Sequence, residues 1–232
     1  MFTKSARFYD ALYQFKDYRK AVQILHQLIQ ENKPGALTLL DVACGTGKHI
    51  EYLRDHYAVE GLDINPELLE IARERCPGNT FHQQDMTNID LGKKFDVVAC
   101  LFSSIGYVQT KERLQESIRA MAMHLQPGGL LIVEPWIFPD KYWNGKLVAN
   151  FADLDNLKIS WMYIQELDGL TSVFDIHYQV GTSEGISHFS EQHIMGLWTD
   201  EEYREAFTRA GLSVNYEENG FFGRGVYYGN AR

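Results

Sequence analysis

The chain is 232 residues long, and 31 acidic against 22 basic side chains give it a formal net charge of −9. That length suits one α/β domain with room for an insertion, and 45% apolar with 23% charged residues excludes disordered and fibrous architectures. The acidic balance, without any Lys/Arg-rich block, argues against binding long nucleic acids and favours a small-molecule partner.

In chain order, an apolar run at residues 37–42 predicts a first strand, which leads through Gly45-Thr46-Gly47 into a helix. Residues 58–63 predict a second strand closing on Asp63. In the helix that follows, Asn65 caps, Pro66 takes the first position, and Leu68, Leu69 and Ala72 fall at helical spacing before Pro77-Gly78 stops it. Further strands are expected at 79–83, 95–101 and 130–134. Between the last two, a helix over 111–125 carries Leu114, Ile118, Met121 and Leu125 on one stripe and should end at Pro127-Gly128-Gly129. After Pro135 the rhythm changes. Residues 158–180 read as a hairpin turning at Asp168-Gly169, and 186–198 read as another β arm. Thr199 and Glu202 then form a capping-box pattern for a helix that Gly211 ends, followed by closing strands at 212–216 and 225–228. The alternation implies an α/β fold: a doubly wound, mostly parallel seven-stranded sheet with a small antiparallel β insertion. A single domain over 1–232 is expected, with an N-terminal lid at 1–30 and the insertion at about 136–198.

The longest apolar runs, 97–102 and 130–133, fall far short of the roughly 18 residues that cross a bilayer, so no membrane partner is expected. The first 13 residues lack the apolar centre of a secretory signal, which makes the cytoplasm the expected location. Cys44, Cys76 and Cys100 are odd in number and form no CxxC, so they read as reduced thiols.

The chemistry begins at "LLDVACGTGKHI", where glycines let the backbone approach a ligand closely. A dinucleotide fingerprint would need Gly or Ala where Ile50 stands. Asp63 closes the second strand at the sheet edge where ligands of open α/β folds bind. Its carboxylate can accept both hydroxyls of a ribose, or simply cap the next helix. Asp85, in "QQDM", can accept from an exocyclic adenine amine while Met86 donates its N–H; a turn aspartate is the alternative.

These parts come in a familiar order. "LLDVACGTGKH", "GLDINPELLEIARER", "HQQDM", "FDVVACLFSSIGY" and "LQPGGLLIVEPW" resemble a class I S-adenosylmethionine-dependent methyltransferase. "FSSIGY", "EPWIFP", "HFSEQH" and "FFGRGVYYG" resemble more narrowly the N,N-dimethyltransferases of nucleotide-linked amino sugars in macrolide pathways, of the desosamine and mycaminose type. The resemblance implies S-adenosyl-L-methionine as cofactor, with Ala43, Gly45 and Gly47 along its methionine moiety, Asp63 on the ribose, and Asp85 with Met86 on the adenine. It also implies Phe102 and Ser103 beneath the cofactor and Tyr18 at the methionine carboxylate. Cys44, His49 and Ile64 complete the cofactor-binding set. The segment joining Tyr9-Asp10 to Lys16-Asp17-Tyr18 is shorter than in the macrolide enzymes.

Methyl transfer from a sulfonium is an in-line displacement in which alignment alone supplies about 7 to 11 kcal/mol, so neither metal nor covalent nucleophile is required. The acceptor must be neutral. A lysine-like amine costs about 4 to 5 kcal/mol to deprotonate at pH 7, whereas one with a pKa near 8 costs about 1.4. Tyr107 is the first candidate to bond the amine or a neighbouring hydroxyl; Tyr9 and Tyr13 are the second, their rings also favouring sulfonium charge. Packing explains each of the three equally well. Arg224, between two glycines, can reach a diphosphate in fork geometry or sit in a surface turn. Trp136, Phe138 and Trp143 can wall a base or sugar, or cover the insertion's core. His188 and His193 are an odd number apart and would face opposite sides of one strand, so with His177 they make no metal site. Two further readings stay open: another small-molecule amine or hydroxyl as acceptor, and a non-catalytic cofactor-binding module. The insertion hairpin, with its exposed aromatics, offers a surface for a homodimer.

Overall fold

The computed structural model describes residues 4–231, so the first three residues of the expected lid lie outside it. The chain opens with α1 (Tyr9–Leu12) and α2 (Tyr18–Asn32), the latter capped by Asp17, which accepts from the Lys20 N–H. An alternating stretch follows: β1 (Thr38–Val42), α3 (Ile50–Leu53), β2 (Ala58–Asp63), α4 (Pro66–Arg75), β3 (Thr80–Gln83), β4 (Phe95–Cys100), α5 (Lys111–Met123) and β5 (Leu125–Val133). Four long strands come next: β6 (Leu147–Leu154), β7 (Leu157–Asp168), β8 (Thr171–Thr182) and β9 (Gly185–Gly196). The chain closes with α6 (Asp200–Arg209), β10 (Asn215–Glu217) and β11 (Val226–Asn230).

The larger sheet runs β10-β11-β5-β4-β1-β2-β3, with only β11 antiparallel to its neighbours. Its central strands β1 and β4 are apolar on most residues, on both faces, because helices cover both sides; Asp41 is a buried exception. Leu39 and Val97 face one layer, Leu40 and Val98 the other. Since β1 pairs with both β2 and β4, the strand order reverses beside β1, and a crevice opens at the C-terminal ends there. The three cysteines are free and buried. Among the described residues no helix is long and apolar enough to cross a membrane.

Several boundaries differ from expectation. The fifth helix stops at Met123, not at residue 125, because His124 turns back to bond the Ala120 carbonyl through Nδ1 (2.8 Å) and then gives its own carbonyl to the Phe95 N–H. Leu125 therefore starts the strand, and Pro127-Gly128-Gly129 lies inside it. Phe95 pairs with Leu125 but Val97 with Leu130, so residues 126–129 bulge from the ladder. Near the end of the chain, Leu212 makes only an isolated bridge and β10 begins at Asn215.

The smaller sheet is an antiparallel meander, β6-β7-β8-β9. The hairpin anticipated at Asp168 is there. β6, its partner, was missed, although the Asp155-Asn156 pair between Leu154 and Leu157 is the turn that makes it. One face of this sheet packs Ala152, Ile159, Trp161 and Tyr178 against Leu12 of the N-terminal segment. That segment is latched to the larger sheet as well: Asp10 accepts from Thr46 Oγ1 (2.8 Å) and pairs with Arg75, which also donates to the Thr46 carbonyl.

Candidate active site

Where β1 ends, the chain turns tightly, with Ala43 at φ 59°, Gly45 at 55° and Gly47 at 75°. These left-handed angles aim backbone into the crevice instead of side chains. Gly47 itself lines none of the cavities there, contrary to the expectation. A Cβ at Gly47 would stand 3.2 Å from Ala72 Cβ, so its part is to seat the loop on α4. Asp63 sits at the turn between the glycine loop and α4. Its Oδ2 accepts from the Gly45 N–H (2.8 Å) and its Oδ1 from the Asn65 N–H (2.9 Å), tying the glycine loop to the start of α4. A carboxylate has roughly four lone-pair sites, so acceptors remain for a ligand.

Asp63 and Ile64 line a cleft of about 720 Å³ that continues along Gln84, Asp85 and Met86 to Tyr107. Asp85 is oriented by Thr87, through N–H and Oγ1 (both 2.9 Å), and by Arg113 (3.0 Å). Burial would raise its pKa, but these donors carry it below the ordinary carboxylate value. At the other end a narrower pocket is lined by Tyr18, Ala43, Cys44, His49 and Phe102. Burial, and then the Lys16 charge, push His49 down to about 3, so its imidazole is neutral. Beneath the loop, Asp41 is buried and neither of its carboxyl oxygens has a hydrogen-bond partner among the described residues. Burial, with the Asp63 charge adding, pushes it up to about 8.

Past β4, Phe102 and Ser103 are both left-handed, at φ 56° and 61°. This double twist corrects one assignment. Ser103 turns into the protein, donating to the Pro135 carbonyl (2.6 Å) and accepting from Arg224 (3.0 Å), while Ser104 takes the place at the cavity wall. Phe102 stays at the wall.

A third cavity, about 1020 Å³, lies between the N-terminal segment and the smaller sheet. Tyr9 and Ser104 line it, the cleft along Asp63 and the narrower pocket, so all three spaces meet at these residues. Tyr13, Tyr107, Trp136 and Arg224 are brought together here as expected. Phe138 is not: the chain has turned by then, and its ring packs on Tyr203 and Tyr216. Trp143 is exposed to solvent. His193 faces the cavity from β9, whereas His188 is exposed, as the odd spacing requires. Lys16, His193, Asn150 and Tyr163 were missed as cavity residues; only "KDY" and the strand parity of His193 carried any signal for them. The Lys16 ammonium lies 2.7 Å from the centre of the Phe102 ring, and burial together with the Arg224 charge pulls its pKa down to about 7.

Residues 39–129 match a family described as "Methyltransferase domain". The chain is 38% identical over 228 residues to the dTDP-3-amino-3,6-dideoxy-alpha-D-glucopyranose N,N-dimethyltransferase of Streptomyces fradiae, covering 97% of this chain and 89% of that protein. It belongs to the dTDP-amino-sugar N,N-dimethyltransferase family. Its fold superposes on Streptomyces venezuelae DesVI with a TM-score of 0.94 at 36% identity, covering all of both chains. It also superposes on the S-adenosylmethionine-bound CalS10, an amino pentose methyltransferase from Micromonospora echinaspora, with a TM-score of 0.89 at 32% identity, over 100% of this chain and 98% of that one. As in this family, the cofactor is S-adenosylmethionine. The residues present fit it: a backbone cradle at Ala43 and Gly45, a carboxylate with spare acceptors at Asp63, and the unpartnered acid Asp41 below a cationic ligand.

Proposed function

We propose that the protein transfers methyl groups, twice, to the amine of a nucleotide-diphosphate amino sugar. One observation carries the reading: Lys16 and Arg224 both line the third cavity, and neither has an ion-pair partner within 4 Å among the described residues. With Arg224 charged and Lys16 titrating near 7, the cavity favours a dianionic guest such as a diphosphate, which would hold the Lys16 ammonium protonated. The Arg224 guanidinium also lies 4.7 Å from the Trp136 ring centre, and with one Nη donating to Ser103 its remaining N–H groups are left for the anion. S-adenosylmethionine supplies a methyl group already activated on sulfur. Asp63 suits its ribose, Asp85 and Met86 its adenine, and the pocket of Tyr18, Cys44 and His49 its methionine end. The protein's own task is alignment and exclusion of water at the junction of Tyr9, Ser104 and Tyr107, with Tyr13 closing the acceptor side.

Initial rates with dTDP-linked and free amino sugars test the proposal. Arg224→Ala should raise KM for the linked sugar by roughly tenfold to a hundredfold, the range of a charged hydrogen bond, and leave the free sugar unaffected. Equal effects on both, or no product from a panel of dTDP-amino sugars, would sink it.

The same reading takes the chain as a single methyltransferase domain acting in the cytoplasm, with the lid closing over both ligands. It pairs with a second copy through the outer face of the smaller sheet, where Leu147, Phe151, Met162 and Ile164 are exposed. Sedimentation should find a dimer that Ile164→Glu dissociates; a monomeric wild type would refute the pairing.

A further inference from the structure

The Tyr107 hydroxyl lies 2.7 Å from His193 Nδ1, joining a turn of the larger sheet to β9 of the smaller one. The contact is built in. Tyr107 belongs to the 3-10 turn Ser104–Val108, and that turn is pressed against β9 so closely that a Cβ on Gly106 would stand 2.7 Å from Met195 Cε. Gln109 Nε2 donates to the Ile194 carbonyl on the same strand (3.4 Å). His193 is 2% exposed, and both rings line the acceptor cavity, with Tyr107 lining the cofactor cleft as well.

Burial pushes the His193 pKa down to about 4, with the Glu191 charge opposing, so the imidazole is neutral at physiological pH. A neutral imidazole offers one donor and one acceptor nitrogen. A phenol is the better donor of the two partners and an unprotonated imidazole nitrogen the better acceptor, so the favoured arrangement is Tyr107 O–H donating to Nδ1. The phenol has one proton. Once it is given to His193, the oxygen can only accept.

We propose that His193 is a positioning residue for methyl transfer: by accepting the hydrogen bond of the Tyr107 hydroxyl it fixes Tyr107 as a pure acceptor for an N–H of the acceptor amine. The proposal rests on the amine reading given above. A phenol free to donate would bond the nitrogen lone pair and block attack. Held as it is, it grips an N–H and leaves the lone pair facing the donor. The nitrogen then forms its bond to the methyl carbon as the carbon–sulfur bond breaks; sulfur keeps the bonding pair, and nitrogen keeps its hydrogens and gains the positive charge. His193 is too weakly basic to be the proton's destination, so the proton leaves with the product and passes to solvent. Primary and secondary amines can give Tyr107 an N–H, and a dimethylamine cannot. The same contact thus favours two transfers and disfavours a third.

A mutant cycle on single-turnover rates tests this, with isothermal titration of S-adenosylmethionine as the check on folding. His193→Phe keeps a ring and removes the acceptor. It should slow transfer about tenfold, a hydrogen bond's worth, without changing cofactor affinity, while His193→Asn, whose carbonyl can stand near the Nδ1 position, should recover most of the rate. In a Tyr107→Phe background, His193→Phe should cost nothing more. Independent, multiplying losses, or an Asn variant as slow as the Phe variant, would overturn the proposal. If His193→Phe fails to bind cofactor, His193→Leu replaces it in the cycle. A wild type that methylates no amine would instead defeat the functional reading, so the two failures are distinguishable.

Discussion

The two halves of the site are built by different means. On the side proposed for the cofactor, the wall comes from one short loop, one strand end and one turn: Ala43 and Gly45 present backbone, Asp63 ends β2, and Asp85 follows β3. On the side proposed for the acceptor, the wall is made of side chains scattered along the chain, among them Lys16 near α2, Tyr107 after β4, Trp136 after β5, His193 on β9 and Arg224 before β11. The first arrangement is local and survives as a motif. The second exists only when the smaller sheet and the N-terminal segment fold over the larger sheet, and Tyr9 and Ser104 are where the two meet.

Asp63→Ala should make that contrast sharpest. It removes the acceptors proposed for the ribose together with the anchor of the Gly45 and Asn65 N–H groups. Two charge-assisted hydrogen bonds at about 1.5 kcal/mol each weaken cofactor binding on the order of a hundredfold. Isothermal titration with S-adenosylmethionine reads this directly. Arg224→Ala, on the other side of the junction, should leave that affinity unchanged. If both substitutions weakened the cofactor alike, the halves would not be separable; if Asp63→Ala left it within about threefold, the ribose contact would be misplaced.

The same contrast explains what could be read from the sequence. The alternation of strands and helices, the α4 cap at Asn65 and the capping box at Thr199 were legible because each depends on neighbours in the chain. That Asp63, Asp85 and Met86 line the cleft was legible for the same reason, since strand ends of a doubly wound sheet converge on the crevice. Ser104 was read as Ser103 because two successive left-handed residues cannot be inferred from "FSSIGY", and they rotate the side chains by one position. Phe138 was misassigned because the direction of an irregular segment depends on α6 and β10, which it packs against. Lys16 went unnoticed because nothing nearby in sequence predicts that its ammonium will be drawn over Phe102. β6 was missed because the extended pattern was read only from residue 158, beyond the Asp155-Asn156 turn that pairs it with β7.

The two halves also hide ionisable groups of opposite sense, and Lys16→Met gives the smallest and most diagnostic effect. Burial holds Lys16 near 7, against about 10.4 for an unperturbed lysine. Between these values the unfolded chain binds a proton that the folded chain does not, so stability rises with pH across that window. Below about 7 both states are protonated, and the folded protein bears the full cost of a buried ammonium. Asp41 on the cofactor side works the other way. Its pKa is raised to about 8, so its contribution is present at low pH and is lost as pH rises toward that value. Thermal melts of the ligand-free protein superimpose the two slopes, and the difference between wild type and Lys16→Met isolates one of them. The variant should be more stable than wild type at pH 6, with the advantage shrinking steadily from about pH 7 to pH 10. A nucleotide diphosphate should reverse the ranking at pH 6, because it supplies the charge that the buried ammonium lacks and Met cannot use it. A stability difference that stays constant across the range would mean that Lys16 is solvated, and the acceptor cavity would then hold one functional cation instead of two.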